Sequence, residues 1–405
     1  MTSASRWSSG AFRSTREGPG GRRKALHGLG ICGTLKGSNA AGDPVGEPLQ
    51  EPISGARVST EAEKPRRVAY VVPSLDHVCV RHRADVFIPV LQEHGWCVEK
   101  RVIPRGFVRR LRFFVGLRKV DVVVVIRKLF TRGQIRVLRW FSRKLVFDFD
   151  DAVIYRDSSR KDQFSKARAK RFCATVRAAD LVIAGNDYLA RLVERFGGHA
   201  AVVPTCVDDR GFTPTTGTRR AGGRVVIGWI GSRSTLMYLE KLRPALTEIG
   251  KRYGASVRLK VVCDAFPDDM GLPLVRKRWS LAQEHDDLRS FDIGVMPLVD
   301  DVWTRGKCGF KLLQYMAAGV AAVASPVGVN AEIIHDGENG FLAEDDDAWV
   351  RKLGRLIADV TLRQRIGLAG RESLHGRYAA ADWSEHYGRL LEEAAGVSHD
   401  AAEAE

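Results

Sequence analysis

Two lysines and a glutamine interrupt one of the most apolar stretches of the chain. The run GKCGFKLLQYMAAG, Gly306 to Gly319, has the leucines, tyrosine, methionine and alanines of a buried helix, yet it carries Lys307, Lys311 and Gln314. Burying an unpaired ammonium is costly, so lysines persist beside such a helix only where they reach water or an anion. Four residues apart, the two lie on one face of a helical turn and lean toward one ligand. A second cluster is DFDDA, Asp148 to Ala152, with three carboxylates in four residues. They repel each other unless water, a cation or a hydroxyl-rich ligand separates them. A third is VVIGWIGSRSTL, which runs strand, glycine turn, helix. Gly228 and Gly231 allow close backbone approach, Ser232 or Ser234 can cap the helix, and Arg233 adds charge where free N–H groups already favour an anion.

These residues need elements to hold them. RRVAYVV, WCVEKRVI, VDVVVVI, KLVFDF, AADLVIAGN and AAVVPTCVD are apolar runs of strand length. Between the first two, RADVFIPVLQEHG reads as a helix closed by Gly95. The pattern breaks at DRGFTPTTGTRRAGGR, Asp209 to Arg224, which reads as a linker. A second series then begins with RVVIGWIGS, SVRLKVVCD, FDIGVMPL and GVAAVAS. Strands apolar on both faces and alternating with helices predict open parallel sheets covered on both sides. The expected organisation is α/β: a tail over 1–66, Rossmann-like domains over 67–222 and 223–380, and over 381–405 a helix returning to the first domain. A ligand then belongs in the cleft at the carboxyl ends of the strands, where DFDD and the lysines also fall.

Composition bounds the possibilities. The chain has 405 residues, 44% hydrophobic and 28% charged, enough for two domains and a tail. Its seven cysteines stand singly without metal-ligand spacing, which predicts a reducing compartment and no structural zinc. No apolar run approaches the roughly 20 residues of a membrane span, and the Gly-, Ser- and Arg-rich start lacks a secretory core. The net charge of +16 is uneven: from Arg101 to Lys144, fourteen Lys and Arg accompany one acid, Asp121. Phe107, Phe113, Phe114, Phe130, Trp140 and Phe141 are interleaved there, which suits a face toward an anionic membrane surface. No nucleic-acid recognition motif accompanies the charge, so no nucleic acid is expected.

From Phe291 to Leu342 the chain reads FDIGVMPLVDDVWTRGKCGFKLLQYMAAGVAAVASPVGVNAEIIHDGENGFL. This resembles the donor-nucleotide segment of family 4 retaining glycosyltransferases of the GT-B fold, two Rossmann-like domains facing across a cleft. VFDFDDAVIYR, AADLVIAGNDYLA and VVPTCVD extend the resemblance into the first half, over about residues 67–396. The family's paired glutamates fall here on Gly306 and Gln314. The resemblance implies that Gln314 binds the ribose and that Glu332 stands near the donor. The family's Arg/Lys pair for the diphosphate is incomplete here, with only Arg233 close; Lys307 and Lys311, with the turn at Gly231 and Ser232, are expected to supply what is missing. Asp150 takes the place of a histidine near the donor sugar; with Asp151 it is the expected catalytic group. The expected function is transfer of a hexose-type sugar from a nucleotide diphosphate sugar, with retention, in synthesis of cell-surface polysaccharide, glycolipid or related glycan. The acceptor, lipid-linked or saccharide, is not named by the residues. DFD also resembles the D-x-D metal site of the other major glycosyltransferase fold, but no metal and no cofactor are expected, since lysine and arginine neutralise the leaving group. The family resemblance suits a cytoplasmic enzyme peripheral to the membrane's inner face. The competing class is a non-catalytic basic protein holding anionic lipid or nucleic acid through 101–144.

Overall fold

The structure, a computed structural model, describes residues 65–212 and 223–397. The expected tail (up to residue 64), much of the expected linker and the end of the chain lie outside the described residues.

Twelve strands form two six-stranded sheets among the described residues. The first sheet contains β1 (Arg67–Val72), β2 (Cys97–Val102), β3 (Val122–Ile126), β4 (Lys144–Phe149), β5 (Leu181–Ala184) and β6 (Ala200–Val202), in the order β2-β1-β3-β4-β5-β6. The second contains β7 (Val225–Ile230), β8 (Val257–Cys263), β9 (Leu274–Arg278), β10 (Ile293–Met296), β11 (Ala321–Ala324) and β12 (Phe341–Leu342), in the order β12-β11-β10-β7-β8-β9. Every pairing is parallel. The central strands are buried along their whole length because both faces carry a core. Phe114, Leu138 and Phe172 cover one face of the first sheet, while Phe87, Leu91 and Tyr387 cover the other. Leu239, Leu246 and Leu353 lie on one face of the second sheet, and Leu313, Tyr315 and Met316 on the other. The architecture is the α/β, two-sheet arrangement that the strand pattern predicted.

The helix Ala380–Ala395 lies on the first sheet rather than the second. Its Tyr387 stacks on Phe87 with ring centroids 4.1 Å apart, and its hydroxyl pairs with that of Tyr70 at 3.2 Å.

Two local readings need correction. The stretch RADVFIPVLQEHG is not one helix: Arg81–Asp85 is a π-helical turn, and an α-helix follows over Ile88–Glu93. The wide turn lets Arg83 point inward, where its guanidinium forks onto Asp148 at 2.7 and 3.2 Å and donates to the carbonyls of Val203 and Pro204. Nor do Lys307 and Lys311 share a helical turn. Gly309 adopts φ 67°, so the helix begins only at Phe310, and Lys307 belongs to the preceding loop.

Candidate active site

The carboxyl ends of both sheets face one cavity of 670 Å³. From the first sheet come the segment after β1 (including His77, Cys79, Arg81 and His82), Arg127 after β3, and Asp150 and Asp151 after β4. From the second come Gly231 and Ser232 after β7, Asp264 after β8, Trp279 and Glu284 after β9, and Lys307, Lys311 and Gln314. Parallel strands put all their outgoing loops on one side, so the cavity collects residues far apart in sequence.

Carboxylates and cations meet at its centre. Asp148 is fully buried on Arg83 and does not line the cavity. Asp150 and Asp151 both face Arg127: its Nε is 3.3 Å from Asp150 Oδ1, and its Nη2 donates to Asp151. Two guanidiniums therefore supply the cations that separate the three acids. Arg127 is the only non-glycine residue with positive φ (56°) among those described. Its amide donates to the Asp148 carbonyl at 2.8 Å, which holds this costly conformation. Lys307 Nζ lies 3.6 Å from Asp151 Oδ1. Burial pushes the Asp151 carboxyl upward, but the charges of Arg127 and then Lys307 outweigh it and hold the group below its ordinary range.

Lys311 has no acid within ion-pair distance among the described residues. Its Nζ sits 5.2 Å from the centroid of the Trp229 ring. Burial, and then the charge of Lys307, bring its ammonium down to about 7, so an anion beside it would restore its full charge. One turn on, Gln314 is buried against the cavity and its amide makes no hydrogen bond among the described residues. Three of the eight buried polar atoms without a hydrogen bond belong to cavity residues: His82 Nε2, Asp150 Oδ1 and Thr205 Oγ1. Orphans of this kind call for a ligand or water rich in donors and acceptors.

The glycine turn after β7 delivers a helix end to the same space. A side chain on Gly231 would put its Cβ 2.4 Å from the Trp229 ring. Ser232 caps the helix Arg233–Lys241, with Thr235 Oγ1 accepting from the Ser232 amide at 3.2 Å. Arg233 is exposed and outside the lining; only its amide is engaged, donating to Asp264 at 2.7 Å. Glu332, the third residue of the short helix Asn330–Ile333, is also exposed and outside the lining. Of the nine candidate residues, seven therefore converge and these two do not. Gly306 has a packing reason, since a Cβ there would come within 2.6 Å of Ala152 Cβ.

Arg127, Arg81, Trp279 and Glu284 carried no signal in the sequence reading. Arg81 forks onto Glu284 at 3.0 and 3.2 Å, and Glu284 also accepts from the Trp279 indole at 2.7 Å. This trio bridges the two halves at one side of the cavity. The other side is pinned by the loop before Phe310. There Asn186 Nδ2 reaches the carbonyls of Gly306 and Lys307, and Cys308 donates to the Asp150 carbonyl at 3.2 Å. Among the described residues no helix is long and apolar enough to cross a membrane, and no group of three or more His, Cys, Asp or Glu is arranged to hold a metal ion.

Residues 274–359 match the family described as Glycosyl transferases group 1, so the segment holding Lys307, Lys311, Gln314 and Trp279 is that of a glycosyltransferase. No curated protein matches the chain in sequence. Among solved structures, sucrose-phosphate synthase from Thermosynechococcus elongatus superposes with a TM-score of 0.66 at 15% identity, over 81% of this chain and 98% of that one. HepE from Anabaena, solved with UDP and glucose, gives 0.61 at 16% identity, over 81% and 100%. A glycosyltransferase from Rickettsia africae gives 0.60 at 14%, over 82% and 99%. At these identities the likeness concerns the fold, which is GT-B.

Proposed function

We propose that this chain is a family 4 retaining glycosyltransferase that moves a hexose-type sugar from a nucleoside diphosphate donor to an acceptor entering from the first sheet's side. The observation that carries the reading is the pair Lys307 and Lys311, set beside a helix N-terminus with Lys311 lacking an acidic partner. Departure of a nucleoside diphosphate leaves two negative charges on one group, and preorganised cations and N–H donors lower that barrier most. Gln314 offers its unengaged amide to ribose hydroxyls. His82 Nε2, Asp150 Oδ1 and Thr205 Oγ1, none of which makes a hydrogen bond among the described residues, are offered to the hydroxyls of the sugar. Neither Asp150 nor Asp151 stands free as a nucleophile, because both are tied to Arg127. Departure of the diphosphate and attack by the acceptor on the same face therefore suits the site better than a covalent intermediate. Lysine and arginine supply the positive charge, and the chemistry asks for no cofactor. HepE's bound UDP makes UDP the first nucleotide to try. The basic stretch 101–144 supports a reading in which the enzyme works at an anionic membrane surface on the cytoplasmic side, in synthesis of a cell-surface polysaccharide or glycolipid.

The test is a thermal-shift screen of UDP, GDP, ADP and their sugars, followed by donor turnover. A ligand at 100 times its Kd adds about 2.7 kcal/mol of stability. The anomeric configuration of the first product, read by NMR, decides retention. A chain that none of these nucleotides stabilises refutes the reading.

A further inference from the structure

The exposed apolar residues are not scattered. Of the twelve large hydrophobic side chains exposed among the described residues, seven sit on segments leaving the carboxyl ends of the first sheet's strands. Leu75 and Val78 follow β1; Val102 ends β2, and Phe107, Val108 and Leu111 follow it; Phe164 stands just before Ser165, the cap of the helix after β4. In a parallel sheet these segments share one rim, the rim that opens on the cavity. Val78 belongs to both, being a lining residue and half exposed. Phe107 is 80% exposed at the start of the helix Phe107–Leu117. Arg105, Arg109, Arg112, Lys128 and Arg132 are exposed on the same segments, and none has a side-chain partner among the described residues. The adjacent helices Phe107–Leu117, Arg132–Phe141 and Lys166–Ala178 contain no acid at all.

We infer that this rim is where the enzyme meets an anionic bilayer, and that its acceptor is a membrane lipid whose headgroup hydroxyl enters the cavity beside Val78. The inference rests on the glycosyl-transfer reading and adds the surface and acceptor class to it. Unpaired cations next to protruding apolar side chains match anionic headgroups over acyl chains. Single-stranded nucleic acid asks for aromatic platforms, and Leu75, Val78, Val108 and Leu111 offer none. An acceptor anchored in the bilayer then reaches the site without leaving the membrane, because rim and mouth are one surface.

Full-length protein is tested by co-sedimentation with phosphatidylglycerol or phosphatidylcholine vesicles. It binds the first in a salt-sensitive manner and not the second. Arg109→Glu with Arg112→Glu weakens binding about 25-fold or more, since each cation contributes about fivefold. Phe107→Ser with Val108→Ser also weakens it and leaves the salt dependence unchanged. Trp140→Ala, at the far end of its helix, changes it by less than about twofold. Equal binding to phosphatidylcholine, rim variants that bind as well as the parent, or displacement by single-stranded RNA at equal affinity would each overturn the assignment. UDP titration of the same variants separates the two claims. Rim variants that keep the parent's UDP affinity but lose vesicle binding support the surface. A parent that binds vesicles but no nucleotide overturns the transfer reading, and the lipid-acceptor assignment with it.

Discussion

Lys307 Nζ, from the second half of the chain, lies 3.6 Å from Oδ1 of Asp151 at the end of β4 in the first. The ammonium is thus already held at the centre of the cavity, and a carboxylate occupies the position of its anion. If the donor diphosphate binds where proposed, its binding exchanges one anion for another: Asp151 yields Lys307 to the diphosphate while remaining on Arg127.

That exchange gives opposite signs at the two residues. Lys307→Ala removes a charged hydrogen bond worth about 1.5–3 kcal/mol, so UDP binds about 10- to 150-fold more weakly while uridine is unaffected. Asp151→Asn frees the lysine and tightens UDP binding, yet lowers turnover. Calorimetry with UDP and uridine checks both. Equal losses for the two ligands in Lys307→Ala would make the lysine a loop support instead.

Lys311 predicts a pH dependence of known direction. Its ammonium titrates at about 7 in the ligand-free site, and a diphosphate favours the charged form. UDP affinity is then flat below that value, as far as this group is concerned. It falls by up to about tenfold per pH unit from pH 7 toward 9, with a proton taken up on binding. Lys311→Arg, charged throughout, removes the slope. Ligand-free stability runs the other way: an unfolded lysine stays protonated up to about 10.4, so this group adds stability as pH rises from about 7. Titrations in two buffers of different ionisation enthalpy measure the proton uptake directly.

Glu284 predicts an opening. It is the shared acceptor of Arg81 and the Trp279 indole, so Glu284→Ala leaves a guanidinium and an indole without their partner. The two halves then separate at that edge in the ligand-free state. Small-angle scattering registers a larger radius of gyration, and stopped-flow a faster UDP release. An unchanged radius and release rate would show that the trio is mere packing.

Much of this frame was legible in the sequence because buried parallel strands read as apolar runs. β9 was missed for the opposite reason: LVRKR lies at the sheet's edge, half exposed along most of its length, so charge hides its strand character. Arg83 in RHRAD looks like a surface residue, and only its partner 65 positions away explains its burial. Arg127 depends on a backbone conformation that no local residue pattern announces. Lys311 and Gln314 were visible since they break an apolar helix, and Lys307 since it stands at that helix's approach, whereas Arg233 and Glu332 sat on motif positions whose side chains are exposed.

Gly306 shows why restoring a missing acid fails. Gly306→Glu would drive Cβ into Ala152 Cβ and its backbone nitrogen, 2.6 and 3.0 Å away. The cost of such overpacking is about 1–3 kcal/mol. The variant melts lower and gains no turnover; increased turnover would mean the loop relocates.

The anchoring of Cys308 reaches beyond binding. This cysteine belongs by sequence to the second half, yet it is buried in the core of the first, with Gly185 so close that a Cβ there would meet its sulfur at 2.5 Å. One half thus completes the other's interior, like a key left in its lock. The separately expressed halves would each lack part of a foundation. Chain cleavage within 213–222 would leave two fragments that melt together as a single cooperative transition.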